Sequence, residues 1–427
     1  MTLWSHDRRA YSSRSASHAL TGAMTRRPES ELQMRRRTFL SGVAGVTGVA
    51  LIHPTRGAAQ TSAQEVPYPR PDLMKRALPR RFKYSRPVID AHTHFYAKEF
   101  IDLVVKEGAA NGAQITGPDR DGEYRIRAMG GGHGAGYYPY EGSTFSKSLS
   151  DIDFQLKGME ERGVDMHAVG MTHPKVYWAP PIFGLQLSQA QNNGVSALHV
   201  KYPKKFVGQI MLPLQDVTLS MQELERASKL PGMCGINMAQ HVNGLNISDK
   251  SFWPLWARCA ELGHPLVLHN LDPLGADRLY QGGLNMMNNL GNPFEATVAS
   301  MGLIQSGALD EIPNLEVYLP HAGGALPWLV WRTDYTMARG EGSKLKRPRA
   351  SDYLRRFHYD LILHSPKYMR TLIDMVGADR VTSGTDWPQG MAVWRPVEYV
   401  ESIPGITQKE AELILCENPA RLLRVRS

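Results

Sequence analysis

From residue 88 onward, short runs of apolar, β-prone residues recur along the chain without the alternation of apolar and polar positions that marks a half-exposed strand. Strands that are covered on both faces have this composition. Between the runs lie segments whose apolar residues repeat at helical spacing, such as 150–162 with Ile152, Leu156 and Met159. The pattern predicts eight strands, at residues 88–91, 166–172, 206–212, 233–239, 265–270, 315–321, 357–363 and 381–386.

Eight strand–helix units in this order predict an α/β fold, specifically a (β/α)8 TIM barrel. An open doubly wound sheet is the alternative, although no GxGxxG motif follows the first predicted strand. A long insertion, roughly 97–148, separates the first strand from the next helix and contains the glycine-rich stretch 130–136. Because long loops of this kind often cover active sites, both a lid and a plain structural insertion are open interpretations.

The first 59 residues have the plan of an export signal. The motif RRTFL at 36–40 is followed by a weakly apolar run at 41–52 and by a candidate cleavage site after Ala59. This run is shorter than the roughly 20 residues of a membrane-spanning helix, and the motif resembles a twin-arginine signal. We therefore expect a cleavable twin-arginine-type signal over 1–59, an N-terminal extension over 60–87, the barrel over 88–427, and export to the periplasm.

Charge and cysteine content exclude several function classes. The formal net charge is +8, but nine arginines and three acidic residues within 1–59 account for +6 of it. The rest of the chain is nearly balanced and carries no basic footprint for a phosphate backbone. Cys234, Cys259 and Cys416 are far apart and form no CxxC motif, which argues against a disulfide framework or a thiolate zinc site. We expect no nucleic-acid partner and no membrane span.

Histidines and an aspartate close several of the predicted strands. The first strand leads into His92-x-His94, and because residues i and i+2 of a strand face the same way, both imidazoles can bind one cation. His269, His321 and Asp386 follow the fifth, sixth and eighth strands. The C-terminal ends of barrel strands meet at one face, so these side chains are expected to form a site for a divalent metal ion. The fourth strand ends without a lysine that could bridge two metals, which favours one ion, zinc or alternatively manganese.

With this residue set, the chain resembles the amidohydrolase superfamily. It is most similar to the branch that contains α-amino-β-carboxymuconate-ε-semialdehyde decarboxylase, γ-resorcylate and related aromatic-acid decarboxylases, and some hydratases. The likeness covers nearly all of 88–425 and includes the motifs YPKKFVG at 202–208, HVN at 241–243, HAGGALPW at 321–328, VGADRV at 376–381 and ENPA at 417–420.

The resemblance implies roles for individual residues. His92, His94, His269 and Asp386 match metal ligands, and His321 matches the histidine that activates a metal-bound water. Arg332 matches an arginine that binds a substrate carboxylate across a dimer interface, so a homodimer is expected; a surface salt bridge is the structural alternative for this arginine. This chain departs from each group of relatives at one motif. It has HNL at 269–271 where the semialdehyde decarboxylase has His-Pro-Trp, and it has His92-x-His94 at the first strand where the γ-resorcylate enzymes have Glu-x-His.

We therefore expect a metal-dependent, non-oxidative decarboxylase of a small unsaturated or aromatic carboxylic acid. His321 and Asp386 would move the protons, and Arg332, Trp178 and Trp387, with Tyr177, would bind a planar carboxylated substrate. The same metal ligands suit a hydrolase of an amide, ester or lactone, or a hydratase, and the metal ligands alone do not separate these reactions.

Overall fold

The computed structural model describes residues 80–128, 143–271, 273, 275–279, 286–342 and 344–425. The expected signal region, most of the N-terminal extension and the glycine-rich stretch 130–136 lie outside these residues. In the described chain, no helix is both long and apolar enough to cross a membrane.

Helices and strands alternate along most of the described chain. The strands are β1 (Ile89–His94), β2 (Ala113–Thr116), β3 (Tyr124–Ala128), β4 (Ser143–Phe145), β5 (Met166–Gly170), β6 (Phe206–Met211), β7 (Met233–Ala239), β8 (His241–Val242), β9 (Leu245–Asn246), β10 (Leu266–His269), β11 (Val317–Leu319) and β12 (Phe357–Tyr359). The helices are α1 (Lys98–Glu107), α2 (Ile152–Arg162), α3 (Pro181–Lys201), α4 (Val217–Ala227), α5 (Trp253–Leu262), α6 (Ala276–Leu279), α7 (Asn292–Gln305), α8 (Ala308–Glu311), α9 (Leu326–Ala338), α10 (Pro366–Val376), α11 (Pro396–Glu401), α12 (Gln408–Glu412) and α13 (Asn418–Leu422).

Seven strands form one parallel sheet in the order β1-β5-β6-β7-β10-β11-β12. Every residue of these strands is buried, which explains why the sequence shows apolar runs instead of alternation. A parallel α/β sheet with helical connections is therefore confirmed, with seven of the eight predicted strands found near their expected positions.

The eighth predicted strand is an irregular segment that nevertheless contacts both edges of the sheet. Val381 forms a parallel bridge with Tyr359 of β12, and Trp387 forms one with Thr93 of β1. Main-chain hydrogen bonds reinforce both contacts, including that from the amide of Asp386 to the carbonyl of His92 at 2.8 Å. The expectation of a regular strand at 381–386 was wrong, because this segment bends at Asp386, which has a φ of +70°.

Side chains on the inner face of the curled sheet pack into a cluster of their own. Residues from six strands contribute to it: Ile89, Ala91, Met166, Ala168, Val207, Cys234, Val267 and Tyr318, with Leu422 and Leu423 at one end. A larger cluster fills the space between the sheet and the surrounding helices. A packed interior under a polar mouth is the arrangement expected for enzymes of this architecture.

The insertion after β1 folds into regular structure in its described part. It begins with α1 and continues into a three-stranded antiparallel sheet, β2-β3-β4. The next helix, α2, starts at Asp151, whose carboxylate accepts hydrogen bonds from the amides of Asp153 and Phe154, and ends at Gly163 with a φ of +69°. Only glycine adopts this left-handed conformation without a steric cost, so it marks the turn into β5.

Candidate metal centre

Strand β1 supplies two histidines on one face. His92 and His94 are 4% and 1% exposed and alternate with Thr93 along an entirely buried strand. Their Nε2 atoms lie 3.5 and 2.8 Å from the same oxygen, Oδ1 of Asp386. The two-residue spacing in the sequence therefore places both imidazoles at one point, as expected.

His269 and Asp386 complete the set. Nε2 of His269, the last residue of β10, lies 3.7 Å from the same Oδ1 of Asp386. All four ligand atoms lie within 4.8 Å of one another and all four residues are buried. Ligand atoms that each lie about 2.1 Å from one ion are roughly 3 to 4 Å apart, and the three nitrogens lie 2.8 to 3.7 Å from Oδ1 of Asp386, close to these separations. Three nitrogens and one oxygen are a donor set that suits a zinc-sized divalent cation.

The outer nitrogens of two of these histidines have partners that fix the rings. Nδ1 of His92 donates to Oδ2 of Asp360 at 3.1 Å, and Nδ1 of His269 is 3.1 Å from the carbonyl oxygen of Asn270. A metal-binding histidine commonly donates its second N–H in this way, which directs the other nitrogen to the ion. By contrast, Nε2 of His92 is buried and has no hydrogen-bond partner, as expected for an atom that faces a cation.

Asp360 also holds the backbone around His321. Its carboxylate accepts hydrogen bonds from the amides of His321 at 2.9 Å, Ala322 at 2.7 Å and Ile362 at 3.0 Å, in addition to that from His92. His321 and Ala322 have φ values of +55° and +51°, an unfavourable conformation for residues with a side chain. Asp360 therefore fixes a metal-site histidine and the strained turn at His321 at the same time.

Burial and charge set opposite protonation tendencies in the site. Burial would raise the pKa of Asp386, but hydrogen bonds with His269 and His94 outweigh it and hold this pKa well below its usual range. Burial lowers the pKa of His94, His269 and His321. Burial also opposes a positive charge on His92, but the hydrogen bond with Asp360 and the nearby carboxylates outweigh it and raise the pKa of this ring. Near neutral pH the Asp386 carboxylate is therefore ionised and His94 and His269 are neutral, which are the forms that bind divalent metal ions.

A buried ion pair supports the segments that carry the ligands. Asp90 of β1 forms an ion pair with Arg162, with 2.7 Å between a guanidinium nitrogen and Oδ2 of the carboxylate. The Asp90 carboxylate also accepts hydrogen bonds from the amide and the hydroxyl of Thr385. The Asp90 and Arg162 side chains are 0% and 2% exposed. Since Thr385 precedes Asp386 and Asp90 lies two residues before His92, this network joins the two ligand-bearing segments.

The structure adds two basic residues near the metal centre that sequence reasoning missed. Lys175 is fully buried and donates hydrogen bonds to the carbonyl of Met171 and to Oδ1 of Asn237. His364 follows the seventh predicted strand, and its charge lowers the pKa of His321. The sequence carried a signal for His364, since it is a strand-end histidine like His269; nothing marked Lys175.

The expected substrate-binding residues have different surroundings. Trp178 is buried against Phe183, and its indole N–H donates to the carbonyl of Lys175. Trp387 is 2% exposed, with its ring stacked on Phe154 at 5.6 Å. In addition, the guanidinium of Arg162 lies 4.5 Å from the centre of the Trp387 ring, and the Trp394 ring lies at 4.9 Å. These contacts enclose much of the Trp387 ring among protein side chains.

Arg332 is exposed and is not part of the buried metal set. It is exposed on α9 and forms no hydrogen bond or ion pair with any described residue. The surface salt bridge that was the structural alternative for Arg332 is therefore not found among the described residues. Tyr177 is buried, and its hydroxyl accepts a hydrogen bond from the amide of Ala239 at 3.2 Å.

Comparison with known proteins gives relatives along most of the chain. A decarboxylase of 2-amino-3-carboxymuconate-6-semialdehyde from Dictyostelium discoideum is 28% identical over 342 residues, which cover 78% of this chain and 91% of the relative. A γ-resorcylate decarboxylase from Polaromonas is 30% identical over 261 residues, covering 57% of this chain and 78% of that enzyme.

Solved structures share the fold. The crystal structure of 5-carboxyvanillate decarboxylase from Sphingomonas paucimobilis matches with a TM-score of 0.64 at 23% identity and covers 80% of this chain and 100% of that chain. That of IDCase from Metarhizium anisopliae matches with a TM-score of 0.68 at 20% identity, covering 80% and 97%. The model of the family described as Amidohydrolase matches residues 89–425. This match spans most of the sequence and every ligand of the candidate metal centre, and the chain therefore belongs to the amidohydrolase family.

Proposed function

We propose that the chain is a metal-dependent, non-oxidative decarboxylase of a small unsaturated or aromatic carboxylic acid. The proposal rests on one observation, the convergence of four ligand-type side chains: His92, His94, His269 and Asp386. Asp360 links this set to His321, because its carboxylate accepts hydrogen bonds from the ring of His92 and from the amide of His321. The relatives at 28% and 30% identity are named as decarboxylases of such acids, which supports this reaction over others that the same ligands can perform.

The four converging residues would hold one divalent ion, zinc or manganese. Solved structures with the same fold are described with bound manganese, while the three imidazoles and one carboxylate here suit either metal. Strand β7, the fourth of the parallel sheet, ends at Ala239 and offers no lysine for a bridge to a second ion. When bound, the ion supplies positive charge that stabilises negative charge developing on a substrate oxygen.

Decarboxylation breaks the bond between carbon and carboxylate, releases carbon dioxide and leaves an electron pair on carbon that must take up a proton. We assign proton transfer to His321, because burial lowers its pKa and keeps the ring neutral and able to accept and return a proton near neutral pH. Asp386, which was expected to share this task, is held ionised by His94 and His269. A carboxylate with so low a pKa is a weak base and takes up a proton poorly, so its main role is that of a ligand.

We further propose that two copies of the chain associate and that Arg332 binds the substrate carboxylate in the partner's site. Arg332 is exposed on α9 beside large apolar side chains, Trp328, Trp331 and Tyr335, which are 42%, 49% and 67% exposed. Exposed aromatic residues around an arginine are typical of protein interfaces. An arginine without a hydrogen-bond or ion-pair partner among the described residues can pair with a carboxylate of a bound substrate.

Two further expectations from the sequence stay proposals. The bridges of 381–387 to β1 and β12 support a closed (β/α)8 barrel, with the irregular segment in the place of the eighth strand. The RRTFL motif and the apolar run after it support export to the periplasm through a twin-arginine signal. An exported enzyme would meet acids from outside the cell.

The test is a substrate panel. Mature protein loaded with manganese or zinc is incubated with hydroxylated aromatic acids and muconate-type acids, and in parallel with esters, lactones and amides. Release of carbon dioxide with a matching loss of product mass supports the proposal. Addition of water without carbon dioxide would assign the site to hydrolysis, or to hydration as in the named 2-keto-4-carboxy-3-hexenedioate hydratase of Sphingobium, and would reject the decarboxylase.

A further inference from the structure

His364 lies at the mouth of the sheet, in the segment that continues β12. Four residues earlier, Asp360 is hydrogen-bonded to His92 and His321. The amide of Leu361 donates to the carbonyl of Gly384, two residues before the ligand Asp386. The chain therefore runs along the metal site, between the turn at His321 and the segment 381–387, before it reaches His364.

The side chain of His364 is half-buried, and its two ring nitrogens are buried without proper hydrogen bonds. Both ring nitrogens are shielded from solvent, and neither forms a hydrogen bond of normal geometry. The backbone around Met391 is near enough to raise the pKa of the ring but does not provide such a bond. Shielding a polar ring from water without partners costs stability, so a group outside the folded chain is expected to complete it.

The backbone of His364 carries a second cost. Its φ is +56°, the left-handed region that residues with a side chain rarely adopt. His321 and Asp386 have φ values of +55° and +70° and share this property. Strained backbone of this kind concentrates at functional sites, where the position of a side chain matters more than stability.

Other histidines near the mouth have partners within the chain. Nδ1 of His241 accepts a hydrogen bond from the amide of Gly244 at 3.2 Å. Nδ1 of His173 lies 3.4 Å from the hydroxyl of Thr172. In contrast to these two, neither ring nitrogen of His364 has a hydrogen bond of normal geometry.

The charged groups that face His364 belong to the metal site. Asp360 and Asp386 raise its pKa, burial lowers it more strongly, and the ring in turn lowers the pKa of His321. The His364 ring therefore lies within electrostatic reach of His321 and Asp386, at the end of the segment that Asp360 and Leu361 join to the metal site. A neutral imidazole there offers one donor and one acceptor.

We propose that His364 is a substrate-binding residue, which forms a hydrogen bond to an oxygen substituent of the acid other than the group held by the metal ion. This inference rests on the proposed function and narrows it to acids that carry a hydroxyl, carbonyl or second carboxylate group. A site built to pair with such an oxygen rejects an analogue that lacks it, because the buried imidazole is then left unpaired.

The test compares substrates as well as variants. His364→Gly removes the ring and relieves the backbone, whereas His364→Asn keeps a hydrogen-bonding group at a residue type that tolerates this φ. Both changes suit the local backbone, so the protein should fold. His264→Asn is the matched control, since it removes a half-buried histidine whose Nδ1 accepts from the amide of Gly235 at the opposite end of the strands. Each holoenzyme is assayed with the best acid of the panel and with analogues that each lack one of its oxygen substituents.

For His364→Gly we expect kcat/KM for the full acid to fall about 10-fold or more, and that for one analogue to change less than about twofold. Metal content should stay at one per chain, His364→Asn should recover part of the loss, and His264→Asn should behave as wild type. An equal loss for the acid and all analogues would show a structural role, and no loss would show no role; either result overturns the proposal. A wild-type protein that decarboxylates no acid of the panel would instead reject the proposed function, and the assignment of His364 with it.

Discussion

Replacing Asp360 with asparagine should weaken both the fold and the metal site. The fully buried carboxylate accepts four N–H groups, from His92, His321, Ala322 and Ile362. An amide has one oxygen, so on average two of the four donors lose their acceptor. Hydrogen bonds to a charged group contribute about 1.5–3 kcal/mol each, which gives a loss of about 3–6 kcal/mol in the free energy of unfolding. Typical domains have about 5–15 kcal/mol in total.

Asp360→Asn should also lower the metal affinity. Without the carboxylate, the ring of His92 loses the partner that orients it and increases its basicity, and changes of this kind lower metal affinity by about 10- to 100-fold. The assay combines urea unfolding of the metal-free protein with titration by manganese. Asp374→Asn makes the same chemical change in an exposed pair with Arg370 on α10 and should cost less than about 1 kcal/mol without altering manganese affinity. If Asp360→Asn behaves like Asp374→Asn in both measurements, the role given to Asp360 is wrong.

Four other predictions follow from the site. His321→Asn should abolish turnover while one metal ion per chain is retained; loss of the metal in this variant would contradict its role as a base. Because burial lowers the pKa of His321, kcat/KM should hold as pH falls to about 6.5 and decrease only below that, as the ring becomes protonated; an acid limb centred above this pH would contradict the assignment. Mixing Arg332→Ala with inactive His321→Asn should restore roughly a quarter of wild-type activity through mixed dimers, and mixed dimers without activity would exclude action across the interface. A chelator should abolish activity, and adding manganese back at 100 times its Kd should restore it and stabilise the fold by about 2.7 kcal/mol; equal stability with and without metal would show that the site does not bind it.

Three of the four candidate metal ligands could be predicted from the sequence because each one lies at the end of an apolar strand. His92, His94 and His269 lie in regular parallel strands, and the position of such residues is a direct consequence of strand pairing. The strand period alone brought two imidazoles to one face. For these residues, local pattern and global fold agree, so the prediction required no knowledge of tertiary contacts.

The turn geometry and the supporting network could not be predicted in the same way. His321 lies after the end of β11 in a left-handed turn that depends on the hydrogen bonds of Asp360, a residue 39 positions away. Asp360 itself interrupts an apolar run, which marks it as a buried acid but does not identify its partners. Trp387 was expected, with other aromatic and basic side chains, to bind a planar carboxylated substrate, and its ring contacts Phe154 of α2, Arg162 and Trp394. The direction of that ring is decided by packing, which the sequence does not display.

We propose that this metal site, with His321, exchanges a carboxylate for a proton at carbon. The most direct measurement uses a panel acid with a labelled carboxyl carbon, incubated with the metal-loaded protein in heavy water. We expect the label to leave as carbon dioxide and the product to gain deuterium at the carbon that lost the carboxylate. With His321→Asn, neither change should occur. A product that keeps its label and gains the elements of water would contradict the account.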